Sequence, residues 1–201
     1  MEILTGFLLG DGWLEKRGCG ARLGISLVIK FKDVAELYQR LLYELGYVNE
    51  ADLPIKPLTC KNPNAQDYYQ IRTFNFHSLL IFHNAWYLNR NKVLPIDIEM
   101  YFTPKVLAIW AMGDGSGMKD GGFKLASHSF NLEDNLRLCA LFDKMYGIKA
   151  TTQRHKSKGQ VYIRIWKRYA PKFFELVSPT LCKSCLYKFR FIPLSDNLNI
   201  K

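Results

Sequence analysis

Apolar and polar residues alternate along residues 22–31. The apolar positions fall on one side of this stretch and are Leu23, Ile25, Leu27 and Ile29. A two-residue period of this kind is typical of a strand with one buried face, so we predict a strand over 22–31. The shorter stretches 69–73 and 161–165 alternate in the same way and predict two further strands.

Six other stretches space their apolar residues as a helix does. They cover residues 3–9, 33–45, 77–86, 104–112, 132–145 and 169–177. Thr103 and Pro104 favour the start of the fourth helix, because threonine caps helix N-termini and proline suits the first helical position. The predicted order is helix, two strands, helix, two strands, helix, and it occurs twice along the chain.

The sequence itself repeats. Residues 4–12 read LTGFLLGDG and residues 107–115 read LAIWAMGDG, at an offset of 114 − 11, or 103 residues. Later in each copy, Phe31 is matched by Phe130, and the strand 69–72 is matched by 161–164. Three matches in the same order indicate a duplicated domain. We therefore predict an N-terminal half at 1–90, a connection at 91–102 and a C-terminal half at 103–201.

Charge directs attention to a polyanionic partner. The chain of 201 residues has 28 Lys and Arg against 18 Asp and Glu, a net charge of +10, with an ordinary globular 48% of hydrophobic residues. Nucleic acid and an anionic membrane surface are the candidate partners. No apolar stretch approaches the roughly 20 residues of a spanning helix, and no basic region precedes the first apolar run. We expect a soluble, unexported chain with no membrane partner.

Five cysteines, an odd number, suggest reduced thiols in such a chain. Cys182 and Cys185 form a single Cys-x-x-Cys pair. Structural zinc needs four ligands, so we expect inert thiols, with a zinc site and a redox pair as the less favoured alternatives.

Asp11 and Asp114 are the residues most suggestive of chemistry. Each follows a glycine, Gly10 or Gly113, at the end of a predicted apolar helix. If these glycines let the two helices touch, the acids emerge side by side in the negative potential of two helix C-termini. Divalent cations relieve such a conflict, and oxygen ligands with a phosphate in reach are typical of Mg²⁺-dependent phosphodiester hydrolysis. The alternative is two solvated acids at helix ends.

These motifs resemble the LAGLIDADG motif of homing endonucleases, in their monomeric, two-motif form. The resemblance implies an α+β fold of two pseudo-symmetric αββαββα halves, whose antiparallel sheets form a DNA-binding saddle. It also implies that Asp11 and Asp114, with Gly10 and Gly113 beside them, form the metal site. Catalytic lysines are best matched by Lys92 and Lys188, which would support the attacking water or the phosphate charge.

One departure from the family pattern concerns packing. Ile109 stands where the motif has its first glycine, so we expect an asymmetric contact between the motif helices.

The polar strand faces and the hairpins predict the DNA-binding surface, because β-ribbons fit the major groove. Candidate DNA-binding residues of the first half are Arg22, Ser26, Lys30, Gln70 and Arg72. Those of the second half are Lys124, His128, Arg154, Lys156, Lys158, Tyr162 and Arg164. The register of 122–130 is open by one residue, which decides the face of Lys124 and His128. The alternative is that these side chains merely solvate an outer surface.

The sequence thus predicts a site-specific homing endonuclease that makes Mg²⁺-dependent double-strand breaks in a long, asymmetric DNA target. Intron RNA is a possible second partner, because relatives of this family also serve as RNA-binding intron maturases. A non-catalytic DNA-binding regulator is less favoured, since it has no need for both acids. An intron-encoded protein would act in a mitochondrion or chloroplast, and the alternative compartment is a prokaryotic cytoplasm.

Overall fold

The computed structural model describes residues 2–54, 56–59, 66–154 and 160–190. Its α-helices are α1 (Glu2–Leu9), α2 (Lys32–Glu44), α3 (His77–Trp86), α4 (Pro104–Asp114), α5 (Leu132–Tyr146) and α6 (Ala170–Val177). The strands of the first half are β1 (Trp13–Arg17), β2 (Gly20–Val28) and β3 (Tyr68–Arg72), followed by the hairpin strands β4 (Tyr87–Leu88) and β5 (Asn91–Lys92). The remaining strands are β6 (Gly115–Gly117), β7 (Phe123–Ala126), β8 (Ala150–Arg154) and β9 (Val161–Ile165).

Each copy of the repeat forms one antiparallel sheet. The first has the order β1-β2-β3, and the second has the order β6-β7-β9-β8. The α+β class is therefore confirmed, and the predicted order of helix, two strands, helix, two strands, helix is confirmed in the second half. The sheets differ in size, because among the described residues the fourth strand of the first half is reduced to a single bridge between Leu58 and Tyr68. Pro57 precedes Leu58 and has no N–H to donate, which disfavours a longer ladder there.

The predicted strand over 22–31 is wrong at its C-terminal end. The strand stops at Val28, and Ile29–Phe31 forms a short 3₁₀ helix that leads into α2. Ile29 is consequently 43% exposed instead of buried. Lys30 lies off the sheet, because the chain must leave the sheet before α2 begins at Lys32.

The motif helices α1 and α4 lie in the middle of the molecule. Every residue from Ile3 to Leu9 and from Val106 to Met112 is buried. A helix that is apolar all round needs cover on all sides, and here each motif helix covers the other. The Thr103 hydroxyl accepts a hydrogen bond from the Val106 N–H, so the predicted cap of α4 is confirmed.

The contact between these helices is asymmetric, as Ile109 predicts. A Cβ added to Gly6 would lie 2.9 Å from the Cβ of Ile109, closer than such atoms approach. Gly6 therefore provides the space that the Ile109 side chain fills. A branched side chain on one helix and a glycine on the other replace the symmetric pair of small residues.

Each sheet buries one face in the core. In the first sheet Leu23, Ile25 and Leu27 are buried, and in the second sheet Phe123 and Leu125 are buried. The opposite faces carry the polar residues. Among the described residues, no helix has the length and apolar character needed to cross a bilayer.

Candidate active site and DNA-facing surface

Asp11 and Asp114 come together where the motif helices end. A Cβ added to Gly113 would lie 2.8 Å from Oδ2 of Asp11, so the first carboxylate fits only because residue 113 has no side chain. At the matching position, a Cβ on Gly10 would meet the Trp110 ring at an ordinary 3.6 Å. The close approach expected of both glycines therefore exists at Gly113 and not at Gly10.

The two carboxylates are difficult to ionise together. Burial raises the pKa of Asp114 to about 7, and the nearby charge of Asp11 adds to this increase. Burial also raises the pKa of Asp11, although part of its side chain remains open to solvent, and Lys188 and Lys92 act in the opposite direction. No ion pair between either acid and a basic side chain occurs within the described ranges.

Lys92 and Lys188 each bind the free carbonyls at the C-terminal end of one motif helix. The Nζ of Lys92 donates to the carbonyls of Leu8 at 2.7 Å and Gly12 at 3.0 Å, at the end of α1. The Nζ of Lys188 donates to the carbonyls of Met112 at 2.5 Å and Gly113 at 2.8 Å, at the end of α4. An ammonium satisfies unpaired carbonyls there and offsets the negative end of the helix dipole.

Burial and the neighbouring acids shift the pKa values of the two lysines in opposite directions. Burial lowers the pKa of Lys92 to about 8, while the charges of Asp114 and Asp11 act to raise it. The pKa of Lys188 is lowered for the same reason, and Cys185 and the two acids oppose that change. The four residues predicted as the centre therefore influence one another electrostatically.

The two carboxylates and the backbone carbonyls near them suit a divalent cation that takes few protein ligands. Among the described residues no cluster of three or more His, Cys, Asp or Glu could hold a metal ion, so the protein offers two carboxylates and nearby backbone carbonyls. The Gly113 carbonyl already accepts from Lys188 and has one further lone pair to offer. Mg²⁺ typically keeps several waters and binds through one or two carboxylates together with substrate phosphates. The donor set present fits that preference.

The first sheet presents four of its five predicted DNA-binding residues on one face. Ser26 pairs with Gln70 in the β2–β3 ladder, Gly24 pairs with Arg72, and Arg22 lies two residues along on the same side. The amide of Gln70 donates to the Ser26 hydroxyl at 3.4 Å. Lys30 is exposed but lies beyond the strand, in the 3₁₀ turn.

The second sheet settles the register that the sequence leaves open. Lys124 pairs with Arg164 in the β7–β9 ladder, on the face opposite the buried Phe123 and Leu125. The Lys124 ammonium lies 4.6 Å from the centre of the Tyr162 ring, a cation–π contact on that face.

Two further predicted residues, His128 and Arg154, lie at the edges of this surface. His128 is exposed in the turn after β7 and not on a strand. Arg154 is the exposed last residue of β8 and pairs with Val161, which places it out of phase with Tyr162 and Arg164. Lys156 and Lys158 lie outside the described residues.

Sequence reasoning misses two acids that bind predicted DNA-contacting arginines, Glu15 on β1 and Asp120 in the turn between β6 and β7. Glu15 accepts from Arg22 at 2.7 Å and from Arg17 at 2.9 Å, and Asp120 accepts from Arg164. Each carboxylate fixes a guanidinium that the sequence presents only as a basic residue. Glu15 reaches Arg22 because the register of β1 against β2 places the two residues opposite each other. No local sequence pattern reveals that register.

Three further side chains share the second face, namely Thr151, Gln153 and Trp166. Gln153 accepts from the Tyr162 hydroxyl at 3.1 Å, and the Trp166 N–H donates to the Thr151 hydroxyl at 3.2 Å. The indole is 48% exposed and offers a flat apolar surface beside Arg164. Alternation along 150–154 would have singled out Thr151 and Gln153.

The Cys-x-x-Cys pair has the character of unreactive thiols. Burial raises the pKa of Cys182 to about 12 and raises that of Cys185 as well. The Cys185 thiol donates to the Met112 carbonyl at 3.8 Å. A protonated thiol is a poor nucleophile and a poor metal ligand, so the structure favours the packing role.

Comparison with known proteins agrees with the motifs. The model of the LAGLIDADG DNA endonuclease family matches residues 1–173. The cytochrome b mRNA maturase bI2 of Saccharomyces cerevisiae is 33% identical over 198 residues, covering 94% of this chain and 46% of that protein. Its counterpart from Debaryomyces hansenii is 30% identical over 190 residues, covering 94% and 72%. The chain thus spans about half the length of the first relative.

Solved structures share the fold. The homing endonuclease I-WcaI bound to its DNA recognition sequence aligns with a TM-score of 0.81 at 23% identity, covering 94% of this chain and 84% of that one. I-DmoI in complex with DNA and Mn aligns with a TM-score of 0.54 at 16% identity, covering 90% and 97%. The paired motif helices, the two sheets and a family model spanning residues 1–173 agree: this chain belongs to the LAGLIDADG DNA endonuclease family.

Proposed function

We propose that this chain is a site-specific endonuclease that hydrolyses both strands of a long, asymmetric DNA target with Mg²⁺. The observation that carries the proposal is the meeting of Asp11 and Asp114 at the motif-helix ends, with Lys92 and Lys188 beside them. A DNA-binding scaffold without chemistry would gain nothing from two neighbouring acids whose pKa values are both raised.

The two acids and the two lysines of the centre have different roles. Asp11 and Asp114 hold the cation, which when bound polarises the scissile phosphate and lowers the pKa of the attacking water. Lys92 and Lys188 hold protons at Nζ and balance negative charge that accumulates on the phosphate. Because the pKa of Lys92 is about 8, this lysine remains largely protonated at neutral pH.

The polar sheet faces bring the DNA to this centre. Lysines and arginines neutralise phosphates, whereas side chains such as Arg72 and Gln70 can pair with base edges. The two faces carry different residues at matching positions, such as Ser26–Gln70 in one and Ala126–Tyr162 in the other. A surface of two unlike halves selects a target of two unlike half-sites, and one chain suffices as a monomer.

The proposal is tested by selecting cleaved sites from a randomised duplex library. We expect Mg²⁺ to yield a single long, non-palindromic consensus, and EDTA to yield none. Cleavage scattered over unrelated sequences, or cleavage that persists in EDTA, would contradict the proposal.

Intron splicing is a second candidate function. The two relatives at 30% identity or more over 94% of this chain are both named maturases, whereas the intron-encoded endonuclease ai4 of Dictyostelium discoideum is 28% identical over 63% of it. The two maturases are named for the cytochrome b mRNA, which also favours an intron-encoded protein that acts in an organelle. The test is whether purified protein accelerates splicing of its host intron RNA, and whether Asp114→Asn retains that effect while it loses DNA cleavage.

A further inference from the structure

The two lysines of the proposed centre lie on segments with little structure of their own. Lys92 ends the two-residue strand β5, and Lys188 lies in the 3₁₀ helix Lys183–Phe189. Short pieces of this kind have few or poorly aligned internal hydrogen bonds. Each segment is instead tied to residues near the start of a long helix that is distant in sequence, α2 for Lys188 and α5 for Lys92.

The segment with Lys188 is held by the first half. Asp33, in the first turn of α2, accepts the backbone N–H of Ser184 on Oδ2 at 3.0 Å. This N–H is near the start of the 3₁₀ helix and has no partner within that helix. The ring of Phe31 also lies 5.6 Å from the Lys188 Nζ and stacks on Tyr187.

The segment with Lys92 is held by the second half in the same manner. Asp134, in the first turn of α5, accepts the backbone N–H of Leu94 on Oδ2 at 3.1 Å. The ring of Phe130 lies 5.9 Å from the Lys92 Nζ. Arg137, one turn along α5, donates to the carbonyl of Leu94 at 3.2 Å and completes the tie.

We propose that Asp33 and Asp134 are positioning residues: Asp33, from the N-terminal half, holds the segment bearing Lys188, and Asp134, from the C-terminal half, holds the connecting segment bearing Lys92. The repeat of an aromatic ring and an acid at the start of α2 and α5 then has a purpose beyond packing. Each ring faces an ammonium on a segment distant in sequence, and each carboxylate fixes the backbone near that ammonium.

The proposal predicts an effect on cleavage that differs between the two DNA strands, and this prediction rests on the proposed endonuclease function. If Lys188 and Lys92 serve different scissile phosphates, loosening one segment slows cleavage of one DNA strand and spares the other. A general loss of stability would slow both strands equally. The identity of the slowed strand therefore separates positioning from mere support of the fold.

The experiment measures single-turnover nicking of each end-labelled strand of the selected target in Mg²⁺. Lys188→Met and Lys92→Met first define which strand depends on which lysine. We expect Asp33→Ala to slow the Lys188-dependent strand roughly tenfold and the other strand less than about twofold, with the reverse for Asp134→Ala. Nicked duplex should accumulate in both cases.

Two conservative variants and a control sharpen the result. Asp33→Asn and Asp134→Asn keep one acceptor oxygen for the backbone N–H, so we expect them to recover most of the lost rate. Asp143→Ala removes an acid that pairs on the surface with Lys149, and it should leave both strands unaffected. If thermal melting shows that Asp33→Ala does not fold, Phe31→Leu replaces it, because leucine keeps apolar volume but removes the ring facing Lys188.

The outcomes separate the two proposals. If the lysine variants are strand-specific but Asp33→Ala, or Phe31→Leu in its place, slows both strands equally, the positioning role is overturned and the endonuclease proposal stands. If both lysine variants cleave both strands at the wild-type rate, the roles proposed for the lysines fail together with the inference.

Discussion

Asp114 ends a helix, is half-buried and lies near a second carboxylate, three conditions that each disfavour its negative charge. The pKa of about 7 is the consequence. Such a residue weakens the metal-free fold, and under the proposed function a bound cation would neutralise its charge. The cost to stability and the proposed function are thus two aspects of the same position.

Asp114→Asn should therefore stabilise the protein in EDTA. Between pH 3.8 and about 7 the folded state keeps a proton that the unfolded chain releases, so Asp114 increasingly opposes folding as pH rises through this interval. We expect the variant to gain up to about 4 kcal/mol at pH 8 and progressively less towards pH 4. Urea unfolding at several pH values measures the difference. Asp97→Asn, an exposed acid, is the control, and an equal gain there would refute the explanation.

Gly113 is the second residue whose identity the geometry of the candidate site restricts. Gly113→Ala would place a Cβ 2.8 Å from Oδ2 of Asp11 and push that carboxylate aside. We expect DNA cleavage to decrease at least about tenfold more than in Gly10→Ala, where the nearest atom is 3.6 Å away. Cleavage kinetics and DNA affinity measured in parallel decide the matter. Equal rates for the two variants would contradict the proposed crowding.

The motif helices show how a duplicated fold tolerates asymmetry. Gly6 and Ile109 occupy matching positions of the repeat and contact each other across the helix interface. The larger residue on one helix fits because its counterpart has no side chain. The pair is therefore coupled, and each residue is tolerated because of the other.

A double-mutant cycle tests this coupling. Gly6→Ala should destabilise the protein by about 1–3 kcal/mol through overpacking, and Ile109→Ala by about 2–5 kcal/mol through a cavity. We expect the combination to cost less than the sum by at least about 0.5 kcal/mol, because the new methyl occupies part of the vacated space. Urea midpoints provide the values. Strict additivity would show that the two positions do not interact.

The polar strand faces provide a prediction about specificity. Glu15 holds Arg22 and Arg17 in a fixed orientation on the first sheet. We expect Glu15→Gln to relax base preference over one or two positions of the target while overall affinity decreases little. Site selection with wild type and variant, beside the Lys144→Ala control, measures this. An unchanged consensus would indicate that the carboxylate does not influence readout.

For the whole molecule, the sequence predicts the class of architecture and the identity of the central residues. The duplicated motif identifies Asp11 and Asp114 because repetition is visible without coordinates. Contacts that depend on tertiary placement stay hidden: the sequence does not reveal that Gly113, and not Gly10, makes room for a carboxylate, or that Asp33 holds the segment bearing Lys188. The early end of β2 at Val28 is missed because alternation continues past the point where the chain must turn.

If Asp11 and Asp114 together hold the metal, metal-dependent cleavage of DNA needs both carboxylates. The most direct measurement is cleavage of the selected target in Mg²⁺ by Asp11→Asn and Asp114→Asn, with DNA affinity determined on the same preparations. We predict that each substitution abolishes double-strand breaks while affinity stays within about tenfold of wild type. Metal-dependent double-strand cleavage at the wild-type rate by both variants would show that neither carboxylate holds the catalytic metal.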